Sequence, residues 1–322
     1  MRTHRSHRKI WLLVAALALL VAACGSDDDA TADVTTTVAP ATTTTTTVPA
    51  TTTTTVPPTT TTTIASPDVV PIEAPEGMEL VWSDEFDGEM INAANWNYDI
   101  GGWGWGNGES QYYTDRLENA RIQNGLLVIE GRQERFEDNY YTSARLKTQG
   151  LQEFQYGYFE ARVKVPDGFG MWPAFWMIGT NFGREDMENP EDSNWPNVGE
   201  IDIMEFIGKE PTVAFGTIHG PGYAGAGSLG SRYLYDEPIP DEWHTYAIEW
   251  DFDGIRWFFD GEQYGEKSRD IVGDRWVFDQ PFFFILNLAL GGTMPGPIGL
   301  DVEFPKYMYV DHVRVYQPIA DQ

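Results

Sequence analysis

Alternation between apolar and polar residues restricts the fold of this chain more than any other pattern in it. Residues 161–165 read Ala-Arg-Val-Lys-Val, and residues 246–250 read Tyr-Ala-Ile-Glu-Trp. A period of two places successive side chains on opposite faces of a β-strand. Asp-Gly pairs at 253–254 and 260–261 bracket the next segment, and such pairs are strong signals for hairpin turns. These segments therefore predict paired β-strands.

Further strands of this kind are predicted over residues 125–130, 142–148, 212–219, 281–290 and 307–316. No long stretch of the sequence repeats apolar residues at helical spacing. Many strands joined by short glycine-bearing turns favour a sheet packed on a sheet. The predicted fold class is therefore all-β, a sandwich or jelly roll.

The N-terminal residues have the composition of an export signal. Residues 1–9 are basic without an acid, and residues 11–23 are wholly apolar but too short to span a bilayer. Residues 21–25 read Val-Ala-Ala-Cys-Gly, which resembles a bacterial lipobox. We therefore predict a lipoprotein-type signal peptide over 1–23 and a lipid on Cys24. The protein would be anchored to the outer face of the bacterial cell membrane. The alternative is a plain signal peptide cleaved nearby, which would leave the protein extracellular.

Residues 24–75 are predicted to be a disordered linker that begins with the lipid anchor Cys24. Residues 31–63 contain twenty Thr and no aromatic residue, so they cannot bury enough apolar surface to fold. Residues 76–318 are rich in Trp, Tyr and Phe and form the predicted catalytic domain. Cys24 is the only cysteine, so the folded part must rest on a large core rather than on disulfides.

The formal net charge of the chain is −28 at pH 7. A strongly acidic protein repels nucleic acids and other anionic polymers, so we expect no nucleic-acid partner. The charge suits an uncharged substrate, but it serves solubility equally well and does not choose between the two explanations. We expect a monomer.

One segment combines acids with large apolar residues: residues 199–206 read Gly-Glu-Ile-Asp-Ile-Met-Glu-Phe. In a regular strand Glu200 and Asp202 share one face, whereas Glu205 points into the core, which is costly for an unpaired acid. A β-bulge near residues 203–204 would return Glu205 to the face of the other two acids.

Three acids crowded on one face repel each other, so stability does not explain the arrangement. A retaining glycosidase needs two such carboxyl groups about 5–5.5 Å apart, one as nucleophile and one as acid/base. The middle acid can tune the pKa values of its neighbours. A solvated polar face and a site for a hard cation remain open alternatives at this point.

Residues 200–205, Glu-Ile-Asp-Ile-Met-Glu, resemble the bulged E-x-D-x-x-E signature of glycoside hydrolase family 16. Further segments match the family in its own order, from about residue 78 to residue 317: residues 81–86, 158–162, 171–177, 217–220, 287–292 and 309–316. The resemblance implies a β-jelly roll of two antiparallel sheets whose concave sheet forms the substrate cleft.

By that resemblance, Glu200 is the nucleophile, Asp202 the assisting acid and Glu205 the acid/base. The bulged motif is typical of laminarinase-like members, so we expect internal hydrolysis of β-1,3 linkages in a glucan such as laminarin, with mixed β-1,3/1,4 glucans also open. A galactan hydrolase and a transglycosylase remain alternatives. A non-catalytic glucan-binding protein is a further one, although relatives of that kind lose one or more of the acids.

The resemblance also implies residues that hold the sugar. Candidates whose side chains can stack on pyranose rings or bond their hydroxyls are Asn107, Arg145, Trp172, Trp176, Trp195 and His219. Glu85, Gly125 and Asp311 match the ligands of a structural Ca²⁺ that laminarinase-like relatives often bind away from the cleft. Oxygen ligands suit calcium. No cofactor is expected for catalysis.

Overall fold

The computed structural model describes residues 70–320. The predicted signal peptide (1–23), Cys24 and most of the predicted linker (24–75) lie outside the described residues. In the described part of the chain, no helix is long and apolar enough to cross a membrane. Its helical segments are short 3-10 turns at Pro190–Ser193, Gly225–Gly227, Arg269–Ile271 and Gly273–Arg275.

Seventeen strands account for the regular structure between residues 70 and 320. They are β1 (Met78–Asp84), β2 (Asn97–Tyr98), β3 (Gln111–Tyr113), β4 (Ala120–Ile122), β5 (Leu127–Phe136), β6 (Asn139–Ser143), β7 (Arg145–Lys147), β8 (Gly157–Lys164), β9 (Met171–Gly179), β10 (Glu200–Phe206), β11 (Val213–His219), β12 (Leu229–Leu234), β13 (His244–Trp250), β14 (Gly254–Phe259), β15 (Glu262–Ser268), β16 (Phe282–Leu290) and β17 (Lys306–Pro318).

The strands form two sheets. One has ten strands in the order β15-β14-β13-β8-β17-β5-β6-β3, with β1 paired to β17 and β4 paired to β5. The other has seven strands in the order β12-β11-β10-β9-β16-β7-β2, and its pairs are antiparallel. The predicted all-β fold of two sheets is confirmed. One pair departs from the antiparallel pattern, because the short strands β3 and β6 run parallel.

The segment 142–148, predicted as one strand, is divided between two sheets. β6 ends at Ser143 in the ten-stranded sheet, and β7 begins at Arg145 in the seven-stranded sheet. Ala144, between them, is fully buried. The chain therefore changes sheets at a small buried residue, which the alternation of side chains does not reveal.

The main core lies between the two sheets and draws residues from both. All nine residues of β16 are buried, which agrees with its central place in the seven-stranded sheet. Trp257, from β14 of the ten-stranded sheet, is fully buried and donates its indole N–H to the backbone oxygen of Asp202 at 2.8 Å. This bond ties the core to β10. The face of the seven-stranded sheet opposite the core is called the cleft face below.

Candidate active site

The acidic segment forms β10, two strands in from the edge at β12. Its register slips by one residue between Asp202 and Glu205 against β11, and between Asp202 and Met204 against β9. Ile203 and Met204 are fully buried in the core. The slip is the predicted β-bulge, and it returns Glu205 to the face that carries Glu200 and Asp202. All three acids therefore lie on the cleft face.

Burial perturbs all three carboxyl groups. Asp202 and Glu205 are only 5% and 8% exposed. Loss of hydration, followed by the charge of Asp202, raises the pKa of Glu200 and of Glu205 to about 8. Burial likewise raises the pKa of Asp202 to about 8. The three groups therefore share protons near neutral pH instead of being ionised together.

The cationic surroundings of the acids are not symmetrical. His219 Nε2 lies 3.5 Å from Glu200 Oε1 and 3.2 Å from Asp202 Oδ2. The positive charge of Arg145 also lowers the pKa of Glu200, partly offsetting burial, but it is not among the causes acting on Glu205. His219 also lowers the pKa of Glu205, and hydrogen bonds from Trp172 and Thr217 lower it further, so the two glutamates reach the same pKa of about 8 with different neighbours.

Glu200, Asp202 and His219 also offer ligand atoms within 4.8 Å of one another, which raises the alternative of a cation site. The backbone N–H of Gly225 donates to His219 Nδ1 at 3.1 Å. A neutral imidazole that accepts at Nδ1 carries its proton on Nε2. The nitrogen nearest the carboxylates is then a donor, whereas a metal-binding histidine donates from the nitrogen facing away from the metal. The arrangement therefore suits hydrogen bonding better than metal ligation.

Two of the predicted cleft tryptophans lie in β9, directly beside the acids. The Trp172 indole N–H donates to Glu205 Oε1 at 3.0 Å. Trp176 pairs with Asp202 in the β9–β10 register and donates its N–H to Asn287 Oδ1 at 2.7 Å. Both indoles are partly exposed, so each combines a fixed orientation with an accessible ring.

Arg145 in β7 lies on the same face, two strands beyond β9. Its guanidinium carbon stands 4.7 Å from the centroid of the Trp176 ring, and Nε lies 2.9 Å from Asp99 Oδ2. Stacking and the ion pair fix the planar group in place. The remaining donors of the fork are suited to sugar hydroxyl groups.

Asn107 belongs to a hydrogen-bonded network that begins at the far end of the cleft face. It donates to Glu109 Oε1 at 3.1 Å, and Glu109 Oε2 accepts from Gln111 at 2.6 Å and from the Tyr113 hydroxyl at 3.1 Å. Asn287 in turn donates to the Tyr113 hydroxyl at 3.2 Å. Because Asn287 also holds Trp176, the network joins the Asn107 loop to the floor of the cleft.

Trp195 lies on the opposite side of the acids, in the segment between β9 and β10. It is 44% exposed, and its ring centroid lies 5.8 Å from that of His219. On the cleft face, Val198 packs with Ile178 and Phe283 in a small hydrophobic cluster that Trp176 flanks. The segment leading into β10 is thus attached to the cleft face beside the acids.

The predicted calcium ligands lie in the other sheet. Glu85 follows β1, Gly125 precedes β5, and Asp311 lies in β17. The two carboxylates have other partners: Glu85 pairs with Arg314 at 2.8 Å, and Asp311 pairs with Arg162 at 3.0 Å.

Sequence reasoning missed several residues that hold the predicted ones in position. Asp99, Glu109 and Asn287 are the main examples. Glu109 adjoins the glycine-rich segment of Asn107, and Asn287 is the lone polar residue of a strand that is otherwise apolar. A buried polar residue needs a partner, so both could have been singled out from the sequence.

Comparison with known proteins gives a consistent result. Residues 103–296 match the family model described as glycosyl hydrolases family 16. The chain is 45% identical over 251 residues to a β-glucanase from Rhodothermus marinus, covering 74% of this chain and 85% of that relative. It is 34% identical over 276 residues to glucan endo-1,3-β-glucosidase A1 from Niallia circulans, covering 75% of this chain and 38% of that longer protein.

Among solved structures, the laminarinase catalytic domain from Thermotoga maritima superposes with a TM-score of 0.71 at 45% identity. The match covers 76% of this chain and 100% of that domain.

Proposed function

Because the chain belongs to glycosyl hydrolase family 16, we propose that it is an endo-β-1,3(4)-glucanase that acts with retention of configuration. The observation that carries the mechanism is the bulge in β10, which gathers three carboxyl groups on one face with unequal surroundings. Relatives named for β-glucan and endo-1,3-β-glucan hydrolysis support the substrate class. The chemistry of the family needs no catalytic cofactor.

In this mechanism, Glu200 attacks the anomeric carbon while the bond to the leaving sugar breaks. Glu205 donates its proton to the departing oxygen. Glu205 then takes a proton from water, and the oxygen of that water displaces Glu200 from the glycosyl-enzyme. Arg145 and His219 favour the ionised form of Glu200, as the first step requires.

Asp202 raises the pKa of both outer glutamates, and for Glu205 this effect serves the acid role. Its charge is the second cause, after burial, that raises the pKa of Glu205 to about 8, so the acid keeps its proton near neutral pH. The Trp172 indole holds the carboxyl group of Glu205 in one orientation. Asp202 thus acts on both outer glutamates through its charge.

The remaining predicted residues would hold the glucan across the cleft face. Trp172, Trp176 and Trp195 would stack on sugar rings, because indole faces match the apolar faces of pyranoses. Arg145, Asn107 and His219 would bond the hydroxyl groups. Their positions on both sides of the acids support internal cleavage of a chain that extends beyond the catalytic centre in both directions.

A screen of the purified protein on laminarin, lichenan, agarose and carrageenan, with sizing of the products, tests the substrate assignment. We expect short oligosaccharides from laminarin and slower or no release from the galactans. Cleavage of agarose or carrageenan without cleavage of laminarin would contradict it. Products longer than the starting oligosaccharides would instead indicate transglycosylation.

A structural Ca²⁺ at Glu85, Gly125 and Asp311 is part of the proposal. β1 and β5 pair with the same edge of β17, at residues 313–318 and 306–310, so their ends meet beside Asp311. Glu85 directly follows β1, and Gly125 shortly precedes β5. Since both carboxylates already pair with arginines, backbone oxygens would be the main ligands, and these suit calcium. The ion would join three chain segments away from the cleft.

Export and attachment through a lipid on Cys24 complete the proposal. They rest on the N-terminal sequence, which lies outside the described residues. The Thr-rich segment would then hold the catalytic part away from the membrane, and the protein would act as a monomer on polysaccharide outside the cell.

A further inference from the structure

The loop of residues 101–109 carries an exposed tryptophan whose position is nevertheless fixed. Trp103 is 68% exposed, yet its ring centroid lies 4.1 Å from that of Trp105. A Cβ atom placed on Gly101 would come within 1.9 Å of the Trp103 ring, so the ring lies directly against the backbone of that glycine. A large apolar side chain is thus held rigidly in contact with water, which core packing does not require.

The backbone beneath these rings is in an unusual conformation. Trp105 has a φ of +49°, in the left-handed region that bulky residues rarely adopt. The Trp105 indole N–H donates to the backbone oxygen of Gly101 at 3.1 Å, which closes the loop. Strain of this kind persists only where the surrounding structure imposes it, and it is concentrated at ligand sites.

The two indoles continue a row of flat groups that starts beside the catalytic acids. The Arg145 guanidinium lies 4.7 Å from the Trp176 ring and 4.8 Å from the Trp105 ring. The order along the row is therefore Trp176, Arg145, Trp105 and Trp103. The outermost member is also the most exposed, as expected where a ligand rather than protein covers the ring.

The row reaches well beyond the catalytic centre. β7, which carries Arg145, is separated from β10 by β9 and β16. Three strand spacings of about 4.8 Å separate the backbone of β7 from that of β10 by about 14 Å. The Arg145 side chain reaches back from β7 over Trp176, and Trp105 and then Trp103 continue the row from the same guanidinium. A ligand confined to the catalytic centre would not reach them, whereas an extended polysaccharide would.

We propose that Trp103 and Trp105 form a distal subsite that stacks on a sugar ring of the same polysaccharide chain that Glu200 and Glu205 cleave. The inference rests on the proposed function and adds a determinant of chain length to it. Its ligand is an uncharged pyranose with an accessible apolar face. An aromatic platform at this distance strengthens binding of long substrates and leaves the chemical step of short ones unchanged.

Substitution Trp103→Ala tests the subsite through the length dependence of hydrolysis. We expect kcat/KM to fall about fivefold to tenfold for laminarin and the longest β-1,3-gluco-oligosaccharides, the loss of one stacking contact. We expect no change for the shortest oligosaccharides that are cleaved. Trp103→Phe should restore most of the activity on long chains, because it keeps a stacking face.

Phe252→Ala is the matched control. Phe252 is also exposed, at 59%, and also stacks on an arginine, but it lies in the β13–β14 turn of the other sheet. The Phe252→Ala variant should have unchanged kcat/KM for substrates of every length. An equal loss on all chain lengths with Trp103→Ala, or no loss on any, would overturn the distal subsite.

Calorimetric binding of laminarin separates this inference from the proposed function. The measurement compares Glu200→Gln alone with Glu200→Gln combined with Trp103→Ala. Weaker binding of laminarin by the double variant supports the subsite. Failure of the unaltered protein to hydrolyse laminarin would count against the proposed activity and not against the subsite. Equal affinities would overturn the subsite and leave the activity standing. Absence of binding in both would overturn both claims.

Discussion

Asp202 is 5% exposed, lies between two glutamates on one strand, and its Oδ2 atom has no hydrogen-bond partner among residues 70–320. His219 Nε2 lies 3.2 Å from this atom without forming a hydrogen bond, so an ionised carboxylate here is poorly compensated and lowers stability. Its folded pKa, about 8, lies far above the value of about 3.9 for an unfolded aspartate. Stability therefore conflicts with chemistry at this residue.

The substitution Asp202→Asn should stabilise the protein in a pH-dependent way. Because the pKa of Asp202 is higher in the folded state than in the unfolded state, the protonated group contributes fully to the free energy of unfolding below about pH 4. This contribution is lost as the pH rises towards 8. Asparagine does not titrate, so the melting temperature of the variant should exceed that of the unaltered protein by about 3–8 °C at pH 8 and converge with it near pH 4. Calorimetric melting across this range is the measurement. A gain in melting temperature that is largest at pH 4 would contradict the raised pKa of Asp202.

The same variant should change the pH dependence of activity. Removing the charge of Asp202 lowers the pKa values of both Glu200 and Glu205, since that charge raises them in the native protein. Both limbs of the pH profile of kcat/KM should move to lower pH. A profile of reduced height but unchanged position would mean that Asp202 does not act through its charge.

Glu109 is buried, and three donors, from Asn107, Gln111 and Tyr113, point at its carboxylate. In Glu109→Gln an amide N–H₂ group must face at least one of these donors. A buried donor without a partner costs about 1–3 kcal/mol, so we expect a melting temperature about 2–10 °C lower.

Because the network also holds Asn107, KM for laminarin should rise in Glu109→Gln with a smaller change in kcat. Glu118→Gln, a change of the same kind at an exposed glutamate in a turn, is the control and should alter neither quantity. A variant with unchanged KM would show that the network is not coupled to the cleft.

At the scale of elements, the strand β10 shows what local sequence can predict. Its bulge could be inferred because a regular strand would bury Glu205 on the same face as Ile201 and Ile203. The two consecutive hairpins β13–β14 and β14–β15 could also be predicted, from their Asp-Gly turns. Both rest on interactions between residues close in sequence.

Long-range pairings could not be predicted in this way. Trp257 supports Asp202 from 55 positions away, and Asn287 bonds Tyr113 across 174 positions. The change of sheet at Ala144 also depends on which distant strands accept β6 and β7. Such contacts follow from the topology of the whole sandwich, which the alternation of side chains does not specify.

The junction of β1, β5 and β17 gives a prediction about calcium. A bound ion stabilises the fold by RT ln(1 + [L]/Kd), about 2.7 kcal/mol when the ion is at 100 times its Kd. Chelation should therefore lower the melting temperature by about 5–11 °C, and added Ca²⁺ should restore it. Activity at 25 °C should change little, because the junction lies outside the cleft sheet. A melting curve insensitive to chelator would discard the site.

At the scale of the whole molecule, the two sheets have different roles. The seven-stranded sheet carries the acids and the candidate sugar contacts, whereas the ten-stranded sheet closes the core and supports β10 through Trp257. A formal net charge of −28 suits an enzyme whose substrate is uncharged.

The proposed attachment to the membrane gives a prediction that concerns the whole chain. If Cys24 is lipidated, the expressed protein should partition with membranes, and Cys24→Ala should release it or block its processing. Ser26→Ala, a small change two residues away, should behave as the unaltered chain does. Recovery of the unaltered protein entirely from the medium, with an N-terminus other than Cys24, would contradict the anchor.

The anomeric configuration of glycosyl azides formed by two variants tests the assigned mechanism most directly. Both reactions use a β-glucoside whose leaving group needs no proton. In Glu200→Ala, azide occupies the place of the nucleophile and should give the α-azide. In Glu205→Ala, the glycosyl-enzyme still forms and azide replaces water, which should give the β-azide. NMR distinguishes the two products. The opposite pairing would exchange the roles of Glu200 and Glu205, and inversion by the unaltered enzyme would exclude double displacement.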